Sequence, residues 1–242
     1  MELLLLYNQV VSLKTKNQQK VGAVIVAAGS SQRMGEVDKV STLIDGRPVL
    51  ARVIDVFQNC EPVGQIIIVA AEKNIEWCRQ MVAEQEWSKV TDICSGGKRR
   101  QDSVAAGLRH LKDCQWVVIH DGVRPLLAED LIHRGLAEAE ETGAAAAAVP
   151  ITDTIKLADN DRLVLQTQPR HNLWAVQTPQ VFRFDMISEA HHQAKDDATD
   201  DASLVEKLGY RVKLYMGSYE NIKITTPEDL IMAEVLCNKH GN

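Results

Sequence analysis

Between Val21 and Lys39 the chain reads VGAVIVAAGSSQRMGEVDK, and this stretch carries the residue types best suited to chemistry. An apolar run from Val21 to Val26 stops at Ala27, Ala28 and Gly29; a short polar loop follows, with Arg33, Glu36 and Lys39 at regular spacing. A β-branched run that ends at small residues reads as a central parallel strand feeding a loop. Small side chains let a ligand approach the backbone, and the amides of Gly29, Ser30 and Ser31 could form an anion-binding concavity. With the positive charge of Arg33 and Lys39 beside it, the stretch suits a polyphosphate. A buried strand followed by an ordinary polar turn would account for the same residues without any ligand. No Gly-Lys-Ser/Thr follows at Walker spacing, and the G-x-G-x-x-G dinucleotide fingerprint is absent.

Apolar runs and amphipathic stretches alternate from Val21 onward. Strands are expected at Gln65–Ala70, Val90–Cys94 and Trp116–Ile119, and helices at Pro48–Gln58, Asn74–Glu84, Asp102–Leu111 and Leu127–Glu141. Pro48 suits the first turn of its helix. The alanines of Ala144–Ala148 favour helix by propensity, but Gly143 and Pro150 leave too little length, so a strand is expected there. This alternation implies an α/β fold, a Rossmann-like doubly wound and mostly parallel sheet with right-handed crossovers. Ligands of such sheets sit beyond the carboxyl ends of the strands. Three polar clusters fall at such ends: the Gly29 loop, Ser95–Arg100 and His120–Pro125.

After Pro150 the alternation breaks. Thr154–Leu157 and Arg162–Thr167 flank a polar turn and read as a β-hairpin without a helix to cover it. A protruding hairpin arm over about 151–172 needs a partner to bury it, and a homodimer is the simple expectation. Leu173–Phe182 is expected to be extended, Asp185–Lys195 helical, and Arg211–Met216 and Asn221–Thr225 strands. Thr226 with Pro227 opens the last helix as an N-cap pair.

The 242 residues are 45% hydrophobic and 25% charged, as in a globular domain. A net charge of −6 gives no bulk attraction to nucleic acid or to anionic membranes, so a phosphate ligand must be held by local cations. Five scattered cysteines without a C-x-x-C pair argue against a disulfide framework or a zinc site, and fit reduced thiols in a cytoplasmic protein. Residues 1–20 hold an apolar stretch too short for a bilayer and read as an appendage. Residues 21–242 read as a single domain.

Eight segments in order carry a family likeness: AAGSSQRMG (Ala27–Gly35), Asp38-Lys39, GGKRRQDSV (Gly96–Val104), HDGVRP (His120–Pro125), DTIK (Asp153–Lys156), Arg170–Gln180, TDDAS (Thr199–Ser203) and NIKIT (Asn221–Thr225). The chain resembles the 2-C-methyl-D-erythritol 4-phosphate cytidylyltransferases of the non-mevalonate isoprenoid pathway, nucleotidyltransferases of the GT-A-like kind. It departs from them at Asp38, where proline is frequent, and at Gly122 and Val123, where alanine is usual.

The resemblance implies transfer of CMP from CTP to 2-C-methyl-D-erythritol 4-phosphate, with pyrophosphate leaving. It makes Arg33, Lys39 and Lys223 the catalytic cations around the α-phosphorus. It places the nucleotide at Ala27, Ala28, Gly29, Ser30, Gly97, Ser103 and Gly122. Asp121, Arg124 and Thr199 would bind the acceptor, joined by Thr154 and Arg170 from a partner's arm. Mg²⁺ would be held chiefly by CTP phosphates, without a dedicated protein ligand.

Several residues have plainer expectations. Arg100 reads as a structural brace, and His120 as a hydrogen-bonding orienter, because a phosphate nucleophile needs no base. His191 and His192 read as surface residues. Asp196, Asp197, Asp200 and Asp201 read as a solvated acidic loop, and Trp174 as core or arm packing. The rival readings are a D-ribitol 5-phosphate cytidylyltransferase and, from a different class, a non-catalytic nucleotide-binding regulatory protein. The full set of cations favours an enzyme over a binder.

Overall fold

A computed structural model describes residues 20–29 and 38–240. The appendage, all but its last residue, and Ser30, Ser31 and Arg33 lie outside the described residues. Seven strands form the main sheet: β1 (Val21–Ala27), β4 (Val63–Ala70), β5 (Val90–Ser95), β6 (Trp116–Asp121), β7 (Ala144–Pro150), β10 (Trp174–Arg183) and β11 (Lys213–Met216). Their spatial order is β11-β7-β10-β6-β1-β4-β5. β1 pairs in parallel with β4 and β6, β4 with β5, and β11 with β7. β10 runs antiparallel to both β6 and β7.

The continuous apolar strands follow from burial on both faces. On β1, Ala23 and Ile25 enter one core while Val24 enters the other; on β4, Ile66 and Ile68 oppose Ile67 and Val69 in the same way. Helices α1 (Val49–Asn59), α2 (Ile75–Glu84) and α4 (Glu129–Thr142) supply residues to the first core. Helices α3 (Arg100–His110), α5 (Phe184–Gln193) and α6 (Asp201–Lys207) supply the second. The last helix, α7 (Pro227–His240), packs Ala233 against Ile44, Val49 and Ile224.

The alanine run is a fully buried strand, as its flanks predict. Gly143 ends α4 at φ 82° with its amide on the Ala139 carbonyl, a left-handed cap that turns the chain into β7.

Other local expectations need correction. Pro48 does not enter the first turn; it lies in a two-residue strand, Arg47–Pro48 (β3), paired with Leu43–Ile44 (β2). Asp45 and Gly46 join these strands, both at positive φ. Asn221–Thr225 is not a strand. Its amides go to local or crossing carbonyls instead: Asn221 to Ser218, Ile222 to Glu220 and Ile224 to Val123. The acidic loop is partly helical, since Asp200 caps α6 by accepting from the Ser203 amide at 3.0 Å.

The hairpin is present as β8 (Lys156–Ala158) and β9 (Val164–Thr167), a separate antiparallel pair exposed along its whole length. Its turn hangs on Asp159, whose Oδ1 accepts from the amides of Asp161 and Leu163. No helix among the described residues is long and apolar enough to cross a membrane.

Candidate active site

The carboxyl ends of β1, β5 and β6 meet in one cavity of about 440 Å³. Ala27, Ala28, Gly29, Lys39, Gly97, Ser103, Asp121 and Lys223 line it, so eight of the residues singled out above come together. The two loops beneath it touch. A Cβ on Gly96 would lie 2.2 Å from Ala28 Cβ, so glycine is what permits the approach. Ser103, on the first turn of α3, accepts from the Gly97 amide at 3.1 Å and donates to the Arg99 carbonyl at 3.2 Å. Lys98, Arg99 and Arg100 line the cavity beside this turn.

Two lysines from opposite ends of the chain line the same cavity. Lys39 Nζ donates to the Thr225 carbonyl at 2.9 Å across 186 residues. Lys223 Nζ lies 3.0 Å from Asp121 Oδ2, and its side chain stays 39% exposed. The segment that carries Lys223 is irregular yet firmly held. Asp229 Oδ2 accepts from the Thr225 and Thr226 amides, both at 2.8 Å, and the Asp229 amide returns to Thr226 Oγ1 at 3.4 Å. This reciprocal cap pins Thr225, and with it the approach of Lys39, to the start of α7.

Asp121 gathers the cations. Its Oδ1 accepts from Arg100 Nε at 3.1 Å, and its Oδ2 meets Arg124 Nε at 3.3 Å as well as Lys223. Burial alone would raise its pKa, but Arg100, Lys223 and Arg124 hold it far below the usual carboxylate range. Arg100 lines the cavity as well as holding Asp121, and the second carboxylate it grips comes from the loop read as solvated. Arg100 Nη1 donates to Asp201 Oδ2 at 2.6 Å.

Asp201 is 1% exposed, and its Oδ1 pairs with His191 Nε2 at 3.0 Å, so neither residue is at the surface. Burial raises the Asp201 pKa, and Arg100 and His191 overcome that and lower it. Among the described residues, Arg100 Nη2 is buried without a hydrogen-bond partner.

His120 takes the orienter's part. The Asp121 amide donates to Thr178 Oγ1 at 3.0 Å; the Thr178 hydroxyl lies 3.0 Å from His120 Nδ1; His120 Nε2 lies 3.3 Å from the Arg124 carbonyl. That arrangement suits a neutral imidazole donating from Nε2 and accepting at Nδ1. Burial pushes its pKa down to about 3, with Asp121 opposing and Arg124 assisting. The ring fixes the turn that aims Asp121.

Other expected site residues lie elsewhere. Gly122 sits behind the wall, where a Cβ would come 3.1 Å from Ala27 Cβ. Arg124 is buried behind Asp121 and donates to the Asn221 carbonyl at 2.7 Å. It braces the carboxylate and does not line the cavity. Burial holds its guanidinium pKa below the ordinary arginine value.

Thr199 is exposed on the loop before α6. Thr154 and Arg170 are exposed at the base of the hairpin, where Arg170 Nη1 donates to the Thr152 carbonyl at 2.7 Å. Trp174 is not core, being 36% exposed on β10. The sequence reading missed the His191–Asp201–Arg100 chain. The N-cap pattern at Asp200 was the available signal, because it turns Asp201 into the first residue of a helix.

The family model described as "IspD: 2-C-methyl-D-erythritol 4-phosphate cytidylyltransferase" matches residues 21–239. A 2-C-methyl-D-erythritol 4-phosphate cytidylyltransferase from Dehalococcoides mccartyi is 53% identical over 221 residues, covering 91% of this chain and 97% of its own. One from Alkaliphilus oremlandii is 45% identical over 225 residues, covering 90% and 95%. The crystal structure of a 4-diphosphocytidyl-2C-methyl-D-erythritol synthase from Anaerococcus prevotii superposes with a TM-score of 0.81 at 28% identity, covering 91% of this chain and 99% of that one.

Proposed function

The chain belongs to the 2-C-methyl-D-erythritol 4-phosphate cytidylyltransferase family, and from that premise we propose how its cavity performs the reaction. It transfers CMP from CTP to 2-C-methyl-D-erythritol 4-phosphate, giving 4-diphosphocytidyl-2-C-methyl-D-erythritol and pyrophosphate for isoprenoid precursors. The acceptor's phosphate monoester has a second pKa of about 6, so it is already a nucleophile at neutral pH. Two anions must approach, and charge builds on the α-phosphate and the leaving group. Positioning and cationic stabilisation are therefore the chemistry required.

The observation that carries this assignment is the convergence of Lys39 and Lys223 on one cavity that the Gly97–Ser103 turn also lines. Lys39, with Arg33, neutralises the triphosphate. Lys223 stands where an incoming phosphate meets the α-phosphorus, and Asp121 holds its ammonium in place. Backbone groups around Gly97, with Ser103, receive the cytosine edge, and the small residues Ala27, Ala28 and Gly29 let the nucleotide lie against β1. Asp121 also faces the acceptor's hydroxyls, with Arg124 fixing its angle from behind.

The donor set fits an ion held by the nucleotide. Both carboxylates that line the cavity among the described residues are already engaged: Asp121 by three cations, and Asp38 by Lys73, Asn74 and the Val40 amide. Mg²⁺ carried by the triphosphate and water would need neither, and would supply charge neutralisation there.

The second subunit is read from the hairpin. Its exposed leucines need cover, and Thr154 and Arg170 at its base would reach the neighbour's acceptor phosphate. We place this homodimer in the cytoplasm.

Pyrophosphate release tests the assignment, with CTP, Mg²⁺ and either 2-C-methyl-D-erythritol 4-phosphate or D-ribitol 5-phosphate. Release with the first is expected; release with the second alone would move the protein to polyol-phosphate activation. Lys39→Met and Lys223→Met should each lower turnover by about 10²–10³ while the fold survives. Near-normal turnover in either would remove that lysine from the reaction.

A further inference from the structure

Away from the cavity, three different metal-ligating side chains converge. Cys60 follows the last turn of α1; Glu129 and His133 lie one turn apart at the start of α4. His133 Nε2 is 3.1 Å from Glu129 Oε1 and 4.0 Å from Cys60 Sγ, and the three donor atoms all lie within 4.8 Å of one another. From this convergence we propose that Cys60, Glu129 and His133 form a binding site for a divalent transition ion of the Zn²⁺ class.

Geometry supports the assignment. Zinc bonds of about 2.0–2.3 Å in a tetrahedron set neighbouring N, O and S donors roughly 3.3–3.6 Å apart. The 3.1 and 4.0 Å separations fall on either side of that span. The sulfur is fixed: Cys60 is buried, its amide donates to the Val56 carbonyl, and its own carbonyl accepts from Lys89 Nζ at 2.7 Å. His133 and Glu129 are half exposed, so their side chains can close on an ion entering from solvent, with water left in the fourth position.

A surface His–Glu pair at i,i+4 would account for two of the three groups, contributing a few tenths of a kcal/mol. It gives no reason for the imidazole nitrogen to face a buried sulfur as well.

The donor set also selects the ion. Thiolate and imidazole suit Zn²⁺ and disfavour Mg²⁺, so the ion serving the nucleotide would not compete. Burial and Glu129 raise the Cys60 thiol to about 11. The entering ion must therefore displace that proton to solvent as the S–metal bond forms. Occupancy would tie the end of α1 to the first turn of α4.

Cobalt is the direct probe. The reduced, chelator-stripped full chain is titrated with Co²⁺, and then with Zn²⁺, in excess Mg²⁺. One equivalent of Co²⁺ should bind with a thiolate-to-metal charge-transfer band in the near ultraviolet, and Zn²⁺ should erase the band. Zn²⁺ should also raise the melting temperature, because the assembled three-donor site exists in the folded state. His133→Ala and Glu129→Gln, at exposed positions that leave the fold intact, should weaken Co²⁺ binding by at least about tenfold. Cys60→Ser should remove the band, and cytidylyl transfer should be unchanged in all three. Absence of a thiolate band in the wild type, or an undiminished band in His133→Ala, would overturn the site.

Discussion

The cavity and the hairpin arm differ in how their groups are held. Around Asp121, every charge is met inside the chain by Arg100, Arg124 and Lys223, and Arg100 is met again by Asp201 and His191. On the hairpin, Leu163 and Leu165 stand 66% and 64% exposed, and among the described residues β8 and β9 pair only with each other. The first region is set before any ligand arrives. The second holds apolar surface in solvent, a state that a second subunit would resolve. Substitutions should accordingly act on folding in the cavity network and on assembly or acceptor affinity in the arm.

The sharpest test of that contrast is Asp201→Asn. It keeps the shape but leaves Arg100 with one fewer charge partner in a buried setting, where breaking a pair costs roughly 3–5 kcal/mol. Urea denaturation should register a loss of that order. Turnover should also fall by about tenfold, because Arg100 no longer holds Asp121 and, through it, Lys223. Unchanged stability would mean that the network does not brace the site.

The arm should respond the other way. Leu163→Asp with Leu165→Asp should leave the unfolding free energy of the single subunit within about 0.5 kcal/mol, as exposed substitutions do. Sedimentation should then show loss of the proposed dimer. Arg170→Ala should raise the Michaelis constant for the methylerythritol phosphate by about tenfold, an effect of about 1.4 kcal/mol, and leave that for CTP unaltered. An effect on CTP alone would detach the arm from the acceptor.

The same contrast explains what could be read from the sequence. Strands buried on both faces and helices with one apolar face announce themselves locally, so the alternation from β1 to β7 was legible, including the alanine strand between Gly143 and Pro150. The Gly29, Gly97 and Asp121 clusters were legible as strand ends. The Asp45-Gly46 hairpin was overlooked although Asp-Gly is a strong turn signal. The short apolar run at Asn221–Thr225 matched a strand pattern, but its amides are spent on Ser218, Glu220 and Val123.

Tertiary pairing was the illegible part. Nothing in the spacing of His191 and Asp201 indicates that both turn inward to Arg100, or that Arg124 faces Asp121 from behind. Those positions depend on which helices pack on which face.

The mildest test concerns His120, where the same buried setting acts through a proton. Its pKa falls from 6.5 unfolded to about 3 folded. Between those values the unfolded chain binds a proton that the folded chain refuses, so this stabilisation is complete above pH 6.5 and is lost as pH falls toward 3. The slope should approach about 1.4 kcal/mol per pH unit within the window. Asp121 and Asp201, both lowered from 3.8, add their loss only at the acid end, so the range from pH 6.5 to 5 isolates the histidine. Denaturation midpoints of the wild type and His120→Gln over that range should diverge in slope, the variant being flatter. Parallel slopes would mean that His120 titrates freely and that the turn carrying Asp121 is open to water.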